Sequence, residues 1–178
     1  MNTGNGHFNL LARVLHWTMA VMIVAMLFIG VTMVASLHLR PLLIDLHRPL
    51  GVAIFVLMLL RLCNRLRHRP PALPADLPAW QVLAATASHW MLYGLMLAMP
   101  LIGWAMLSAG GYPITLWGGV HLPALVPHSP ALYAALRNAH SLLAYVLFAT
   151  VLMHVGAALF HLWVRRDGVF QAMARGKD

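Results

Sequence analysis

The residues of this sequence that could do chemistry are its histidines, which are unusually many and regularly placed. There are 11 histidines in 178 residues, and several lie inside long apolar stretches, where ionisable side chains are costly and usually mark a functional site. His140 and His154 are 14 positions apart in one such stretch. A helix would place them ~21 Å apart on nearly the same face. This spacing predicts one imidazole towards each surface of a membrane.

Two further histidines lie at matching depths in other apolar stretches. His16 stands near the beginning of the first stretch, at the depth of His154, and His47 stands near the beginning of the second, at the depth of His140. Each pair of imidazoles could clamp a planar metal macrocycle inside a helical bundle. A lone histidine in a span is often only a hydrogen-bonded polar group. Two depth-matched pairs favour haem ligation over that interpretation.

Other metals fit these residues less well. Zinc sites usually add a carboxylate or a thiolate, and only Asp45 lies near the right depth. Cys63 is the only cysteine, which excludes disulfides, thiolate clusters and covalent c-type haem attachment. A stripe of Met19, Met22 and Met26 leaves a copper carrier as an alternative. Methionine also packs well against irregular surfaces such as a haem.

The elements that must position these histidines are membrane-spanning helices. Hydrophobic residues make up 61% of the chain and charged residues 9%, against about half and a quarter in soluble domains. Four apolar stretches exceed the roughly 18 residues that indicate a span, and they cover approximately residues 10–37, 42–62, 82–108 and 131–164. We predict an all-α, integral membrane four-helix bundle, with 1–178 as a single domain.

The distribution of basic residues predicts the orientation of the chain. Nine arginines and lysines lie at the N-terminus, in the connector between spans two and three, and at the C-terminus, against three in the other two loops. By the positive-inside rule both termini are cytoplasmic, as in a multi-pass protein of a bacterial inner membrane. This topology accounts for the net charge of +8, so we expect lipid, and no nucleic acid, as a partner.

Other polar residues are candidates for supporting roles. Arg13 and Arg61 could pair with haem propionates, since arginine binds carboxylates through two hydrogen bonds, although Arg61 could equally reach lipid headgroups. His89 is an alternative ligand or a propionate partner, and we favour the second role. His161 and Trp163 could line a quinone site, although such a tryptophan is commonly an interfacial anchor. The remaining histidines are expected to meet water: His7, His38, His68, His121 and His128.

Several stretches carry a family resemblance: Arg13-Val-Leu-His16-Trp17, Arg40-Pro41-Leu42-Leu-Ile44, His47-x-x-x-Gly51, Leu57-Met58-Leu-Leu-Arg61-Leu62, His89-x-x-x-Tyr93, Met99-Pro100-Leu-Ile-Gly103, His140 and Met153-His154. In these the sequence resembles the prokaryotic cytochrome b561 family, especially its short stand-alone members, which include bacterial superoxide oxidase. The resemblance implies a four-helix bundle with two haem b groups. His16 and His154 would ligate the inner haem, and His47 and His140 the outer one.

The resemblance also implies an activity, that of a superoxide:quinone oxidoreductase. Periplasmic superoxide would give one electron to the outer haem, and the electron would reach ubiquinone with the inner haem on its route. Quinone would bind near His161, a proton relay by type. On the outer side, three arginines are accompanied by a single acidic residue, Asp45. These arginines either attract superoxide or merely border the membrane: Arg40, Arg48 and Arg137. Two alternatives stay open: a non-enzymatic electron carrier, and a cytochrome b subunit that takes electrons from a respiratory dehydrogenase or hydrogenase and anchors it.

Overall fold

The computed structural model describes residues 7–116 and 119–175, and four long helices dominate it. They are α1 (Leu10–Ala35), α2 (Arg40–Arg67), α3 (Ala79–Ala109) and α4 (Pro130–Phe160). Each is long and apolar enough to cross a membrane, which confirms the predicted all-α membrane fold. In the chain, a two-stranded antiparallel sheet follows α3 and precedes α4; its strands are β1 (Ile114–Thr115) and β2 (His121–Leu122). A π-helical turn (His161–Arg165) and a short α5 (Val169–Ala174) follow α4.

Helices α2 and α3 extend past the predicted apolar stretches at both ends, whereas α1 begins at Leu10 as predicted and ends at Ala35, two residues before residue 37. Asn9 and Ser129 begin α1 and α4, where each side chain accepts a backbone N–H of the first turn. Proline at the first turn of α2 allows that helix to begin two residues before residue 42. At its other end α2 continues to Arg67, because a helix that leaves the lipid core is free to carry arginine into water.

The four helices run up and down, so the two chain ends meet on one side of the bundle, which we call the terminal side. The Phe8 N–H donates to the Ala172 carbonyl there, at 3.1 Å. The amides of Asn9 and Asn64 exchange two hydrogen bonds of 3.3 Å, joining the beginning of α1 to the end of α2. The opposite side carries the β1–β2 sheet, and we call it the hairpin side.

Packing between the helices is uneven and leaves room beside α4. Helix α1 packs closely on α2, α3 packs closely on α4, and α2 joins the two pairs through α3. In the described part of the chain the backbone of α4 makes hardly any close approach to α1 or α2. Side chains that α1, α2 and α4 direct towards one another therefore face across a gap.

A methionine-rich core fills the middle of the bundle. Its buried members are Met19, Ile23, Ile54, Met58 and Met96, from α1, α2 and α3. Most other apolar side chains of the long helices are exposed, as expected where lipid replaces the protein interior as the apolar environment. The core lies between the depths of His16 and His47 and therefore separates them.

Met58→Ala should destabilise the bundle, because Met58 is fully buried (0% exposed) and its truncation leaves a cavity. Buried Met→Ala substitutions cost about 2–5 kcal/mol. Thermal unfolding of the purified protein in detergent measures the loss. Leu59→Ala is the matched control. The Leu59 side chain is next to Met58 in the sequence but is 41% exposed, so this substitution should change the melting temperature little. Equal losses for the two variants would contradict a core centred on Met58.

Candidate functional site

Two pairs of histidines face each other across the gap beside α4. The ring centroids of His16 on α1 and His154 on α4 are 6.2 Å apart, with 71° between the ring planes. The ring centroids of His47 on α2 and His140 on α4 are also 6.2 Å apart, at 66°. The first pair lies towards the terminal side and the second towards the hairpin side. The structure thus brings together the residues that the sequence paired by depth.

The ring separation suits a metal held between two imidazoles. A metal–nitrogen bond of roughly 2 Å on each side, together with the distance from each nitrogen to its ring centre, puts two opposed ring centroids about 6 Å apart. Among residues 7–116 and 119–175, no three His, Cys, Asp or Glu side chains are grouped to hold a bare ion. Two donors per site fit a macrocycle such as haem, which brings its own equatorial ligands.

The hairpin-side pair also contains a buried polar atom with unmet hydrogen-bonding capacity. The Nδ1 atom of His47 is buried and has no hydrogen-bond partner among the described residues. Such atoms are rare in native structures and often indicate a site for an additional group. Gly103 on α3 makes room for one of these rings, since a Cβ built there would lie 3.4 Å from Cε1 of His140. Any larger side chain would press on that imidazole.

His89 on α3 is a third histidine near the terminal-side pair. Its ring centroid is 5.4 Å from that of His154, and its side chain lines a cavity on the terminal side that also contains Arg61 and Tyr93. Helix α3 begins at Ala79, so His89 is about three turns from the helix start. This position beside arginines fits a partner of an anionic group better than an axial ligand.

The cavity on the terminal side is large and strongly basic. Its volume is about 1020 Å³. No carboxylate occurs among its described lining residues, so its field favours anions. Two histidines expected to meet only water, His7 and His68, also line it. The basic lining residues are Arg13, Arg61, Arg65, Arg67, Arg69, His7, His68 and His89.

Arg13 and Arg61 are held in place by backbone carbonyls. Arg13 donates to the Ala174 carbonyl and Arg61 to the Ala12 carbonyl, each at 3.4 Å. The Arg61 guanidinium also lies over the Tyr93 ring, 5.9 Å from its centroid. The Nε of Arg13 is buried without a partner among the described residues. A carboxylate acceptor such as a propionate would satisfy that donor.

The hairpin side carries a smaller set of charges. Arg48 follows His47 directly, and its Nε is buried without a partner in the described part of the chain. Arg40 is half-buried, whereas Asp45 and Arg137 are exposed. The β1–β2 sheet covers part of this side through a hydrogen bond of 2.8 Å from the Trp104 indole to the Pro123 carbonyl.

His161 lies in a polar cluster with Arg165, as its position in the sequence suggested, but the two carboxylates of the cluster, Asp167 and Asp76, were not predicted. It begins the π-turn, and its Nδ1 is 2.6 Å from Oδ2 of Asp167. Arg165 donates to the same oxygen at 3.0 Å and to Asp76 at 2.7 Å. Burial raises the pKa of Asp167, but hydrogen bonds from His161, the Val169 N–H and Arg165 outweigh it and leave that pKa below its usual value. Asp167 is therefore a carboxylate at neutral pH.

The other residues singled out from the sequence lie outside these clusters. Trp163 belongs to the π-turn but is 65% exposed, as an interfacial tryptophan would be. His38, His121 and His128 are exposed, and His121 contacts the Thr115 hydroxyl at 3.2 Å.

Comparisons with known proteins identify the family to which the chain is similar. Residues 7–176 match the family described as prokaryotic cytochrome b561. Cytochrome b561 homolog 1 of Escherichia coli (strain K12) is 31% identical over 169 residues, covering 89% of this chain and 92% of that protein. Cytochrome b561 homolog 2 of the same organism is 27% identical, covering 93% and 90%. The probable superoxide oxidase CybB of Yersinia pestis is 31% identical, covering 89% and 90%.

Proposed function

Since this chain belongs to the prokaryotic cytochrome b561 family, we propose that it is a di-haem b cytochrome that passes electrons from superoxide to membrane ubiquinone. Family membership makes it a membrane electron carrier that binds haem b. The proposal adds the number of haems, their ligands and the two substrates. The proposal rests on the two imidazole pairs, in each of which the ring centroids are 6.2 Å apart.

In this proposal His16 and His154 ligate one haem, and His47 and His140 ligate the other. Bound haem supplies reversible one-electron chemistry. The chain contributes the orientation of the ligands from three helices and the apolar surroundings that exclude water. The core around Met19 and Met58 separates the two sites.

Arg13, Arg61 and His89 contact haem propionates on the terminal side. The support is the basic cavity that all three line and the partnerless Nε of Arg13. Arginine presents a planar fork of donors that matches a carboxylate. The same donors would hold the propionates away from lipid, where an unpaired carboxylate is costly.

We assign the terminal side to the cytoplasm and the hairpin side to the periplasm of a bacterial inner membrane. The support is the excess of arginine and lysine on the terminal side. Superoxide, an anion, then approaches the side of His47, where Arg48 has a partnerless buried Nε. The arginines there outnumber Asp45, so the local field favours a small anion.

Ubiquinone is reduced near the end of α4, with His161 and Trp163 lining its site. Two superoxide anions each lose one electron and become dioxygen. Ubiquinone takes up those two electrons and two protons and becomes the quinol. The support for this location is that His161 is a proton-transfer residue by type and lies seven residues after His154, or ~10 Å along a helix. An exposed tryptophan beside it suits an apolar ring substrate.

Replacing single histidines should remove haems one at a time. The purified wild-type protein should contain two haem b groups per chain, measured by the pyridine haemochrome spectrum against protein concentration. His47→Ala and His140→Ala should each reduce the content to about one, and the double variant of this pair should lose no more. Combining His47→Ala with His16→Ala should remove both.

His89→Ala and His38→Ala are the controls for this experiment. Both should keep two haems per chain, since His89 is assigned to a propionate and His38 is exposed. A haem lost from His89→Ala and kept in His16→Ala would contradict the assignment of the terminal-side ligands. Full haem content in His140→Ala would contradict the hairpin-side pair.

Gly103→Val should weaken the hairpin-side haem alone. A Cβ at this position already lies 3.4 Å from the His140 ring, so two additional methyl groups must displace the imidazole. We expect a content of about one haem per chain, or a changed visible spectrum of one haem. Gly156→Val on α4 is the matched control, because nothing beyond its chain neighbours and the nearby backbone of its own helix lies within 4 Å of its Cβ position. Unchanged haem content and spectra in Gly103→Val would rule out tight packing of His140 on α3.

Stopped-flow mixing with superoxide tests the substrate. Oxidised protein should be reduced faster than superoxide disproportionates, and raising the salt concentration should slow the reaction, because a steered anion is screened. Arg48→Gln should lower the rate, with haem content unchanged. Haem reduction no faster than disproportionation would exclude superoxide as donor. A carrier, or a cytochrome b subunit anchoring a dehydrogenase or hydrogenase, would give that result while still showing b-type absorption bands.

A further inference from the structure

The end of α4 positions one histidine and one carboxylate as a pair. The π-turn closes with the Arg166 N–H donating to the His161 carbonyl at 2.8 Å. Arg166 and Gly168 then adopt left-handed backbone conformations, with φ of 54° and 81°. This reversal returns Asp167 to His161, where the two side chains are only 11% and 17% exposed. The contact therefore depends on a specific backbone path and is not a chance surface ion pair.

Three donors converge on the Asp167 carboxylate. They are the His161 ring, Arg165 Nε at 3.0 Å and the Val169 N–H at 3.3 Å. Because Asp167 is an ionised carboxylate at neutral pH and can only accept, the Nδ1 of His161 is its third donor. The carboxylate thereby fixes the tautomer and the orientation of the ring and leaves Nε2 available for another partner.

We propose that Asp167 is the positioning residue for proton transfer from His161 to quinone, which rests on the proposed function in placing quinone at this histidine. When both ring nitrogens carry protons, Nε2–H donates to a quinone oxygen. As the quinone takes up its two electrons, that proton moves to the oxygen and the ring becomes neutral. The ring takes another proton from water on the terminal side, and a second transfer completes the quinol. This is the role that a buried aspartate has behind a catalytic histidine.

The charges around this pair are nearly balanced. Arg165 faces Asp167 from the π-turn and also contacts Asp76 from the connector between α2 and α3. Arg166 is turned away, with its Nε donating to the Trp163 carbonyl at 3.1 Å. Asp76 is 74% exposed, so its contact with Arg165 contributes little to stability. Substitution of Asp76 therefore provides a control, in which the cluster loses a negative charge while His161 keeps its partner Asp167.

Reoxidation of the reduced haems separates a role in proton transfer from a role in structure. The full-length, haem-loaded protein is reduced with a slight excess of dithionite and mixed either with a short-chain ubiquinone or with ferricyanide, which takes electrons without protons. Asp167→Asn should slow reoxidation by the quinone ~10–100-fold, at or below the lower end of the ~10²–10⁴-fold contribution of general acid–base catalysis, because His161 itself is retained. Reoxidation by ferricyanide and haem content should stay at wild-type values. The rate with quinone should also change its dependence on pH.

Asp167→Glu and Asp76→Asn complete the experiment. Asp167→Glu, which retains a carboxylate, should recover most of the rate with quinone, and it replaces Asp167→Asn if that variant loses haem. Asp76→Asn should match the wild type with both oxidants. Equal slowing in Asp76→Asn and Asp167→Asn, or slowing with ferricyanide as well, would show a structural role and overturn the inference.

The same measurements distinguish this inference from the proposed function. If quinone does not reoxidise the wild type, the quinone assignment fails and the role of Asp167 fails with it. If quinone reoxidises the wild type and Asp167→Asn equally fast, only the role of Asp167 fails. If quinone oxidises the reduced protein normally but superoxide does not reduce it, the donor is wrong and the role of Asp167 stands.

Discussion

Lipid offers no hydrogen bonds, and this constraint explains most of the structure. Every backbone group in the bilayer core must be satisfied within the protein, which requires helices over almost all of each span. Every polar side chain there must find a partner or a bound group. The paired histidines in the spans meet this requirement only in part, since Nδ1 of His47 has no partner among the described residues. Each such ring needs a partner or a bound group, and the helices bring the rings face to face in two pairs.

Helix α4 meets that need because it carries a histidine at each depth. The 14-residue spacing keeps His140 and His154 on nearly one face of the helix. Helices α1 and α2 each supply one opposing ring, and the space between them and α4 is left unfilled by backbone packing. The methionine-rich core occupies the depth between the two sites. A flexible, polarisable side chain packs well against surfaces of irregular shape, which would suit a layer between the two proposed haem sites.

The fold could be predicted from the sequence, and so could the approach of His16 to His154 and of His47 to His140. Hydropathy gives the depth of each histidine in the membrane, and helical periodicity gives the face of the helix on which it lies. The sequence was insufficient for the polar cluster of Asp167. That residue lies just past the apolar stretch, and its contact depends on a π-turn and on left-handed backbone conformations that hydropathy does not encode. The one available signal was Gly168, since glycine after a helix end often adopts such a conformation. The ligand, propionate and quinone roles of these residues remain predictions.

The terminal side has two regions of different charge, a basic cavity and a nearly neutral cluster around His161. They would suit an anionic and an uncharged partner, respectively. The chain has only four acidic residues, and two of them, Asp76 and Asp167, surround Arg165 at the end of α4. The basic cavity has no carboxylate among its described lining residues. An unbalanced basic cavity attracts and holds anions such as propionates. A balanced cluster around His161 would exert little net field on an uncharged quinone at the proposed site, so binding there would depend on shape and on a hydrogen bond from the ring. In the proposed function, the same side of the bundle would thus hold a permanently charged propionate and a neutral quinone that exchanges.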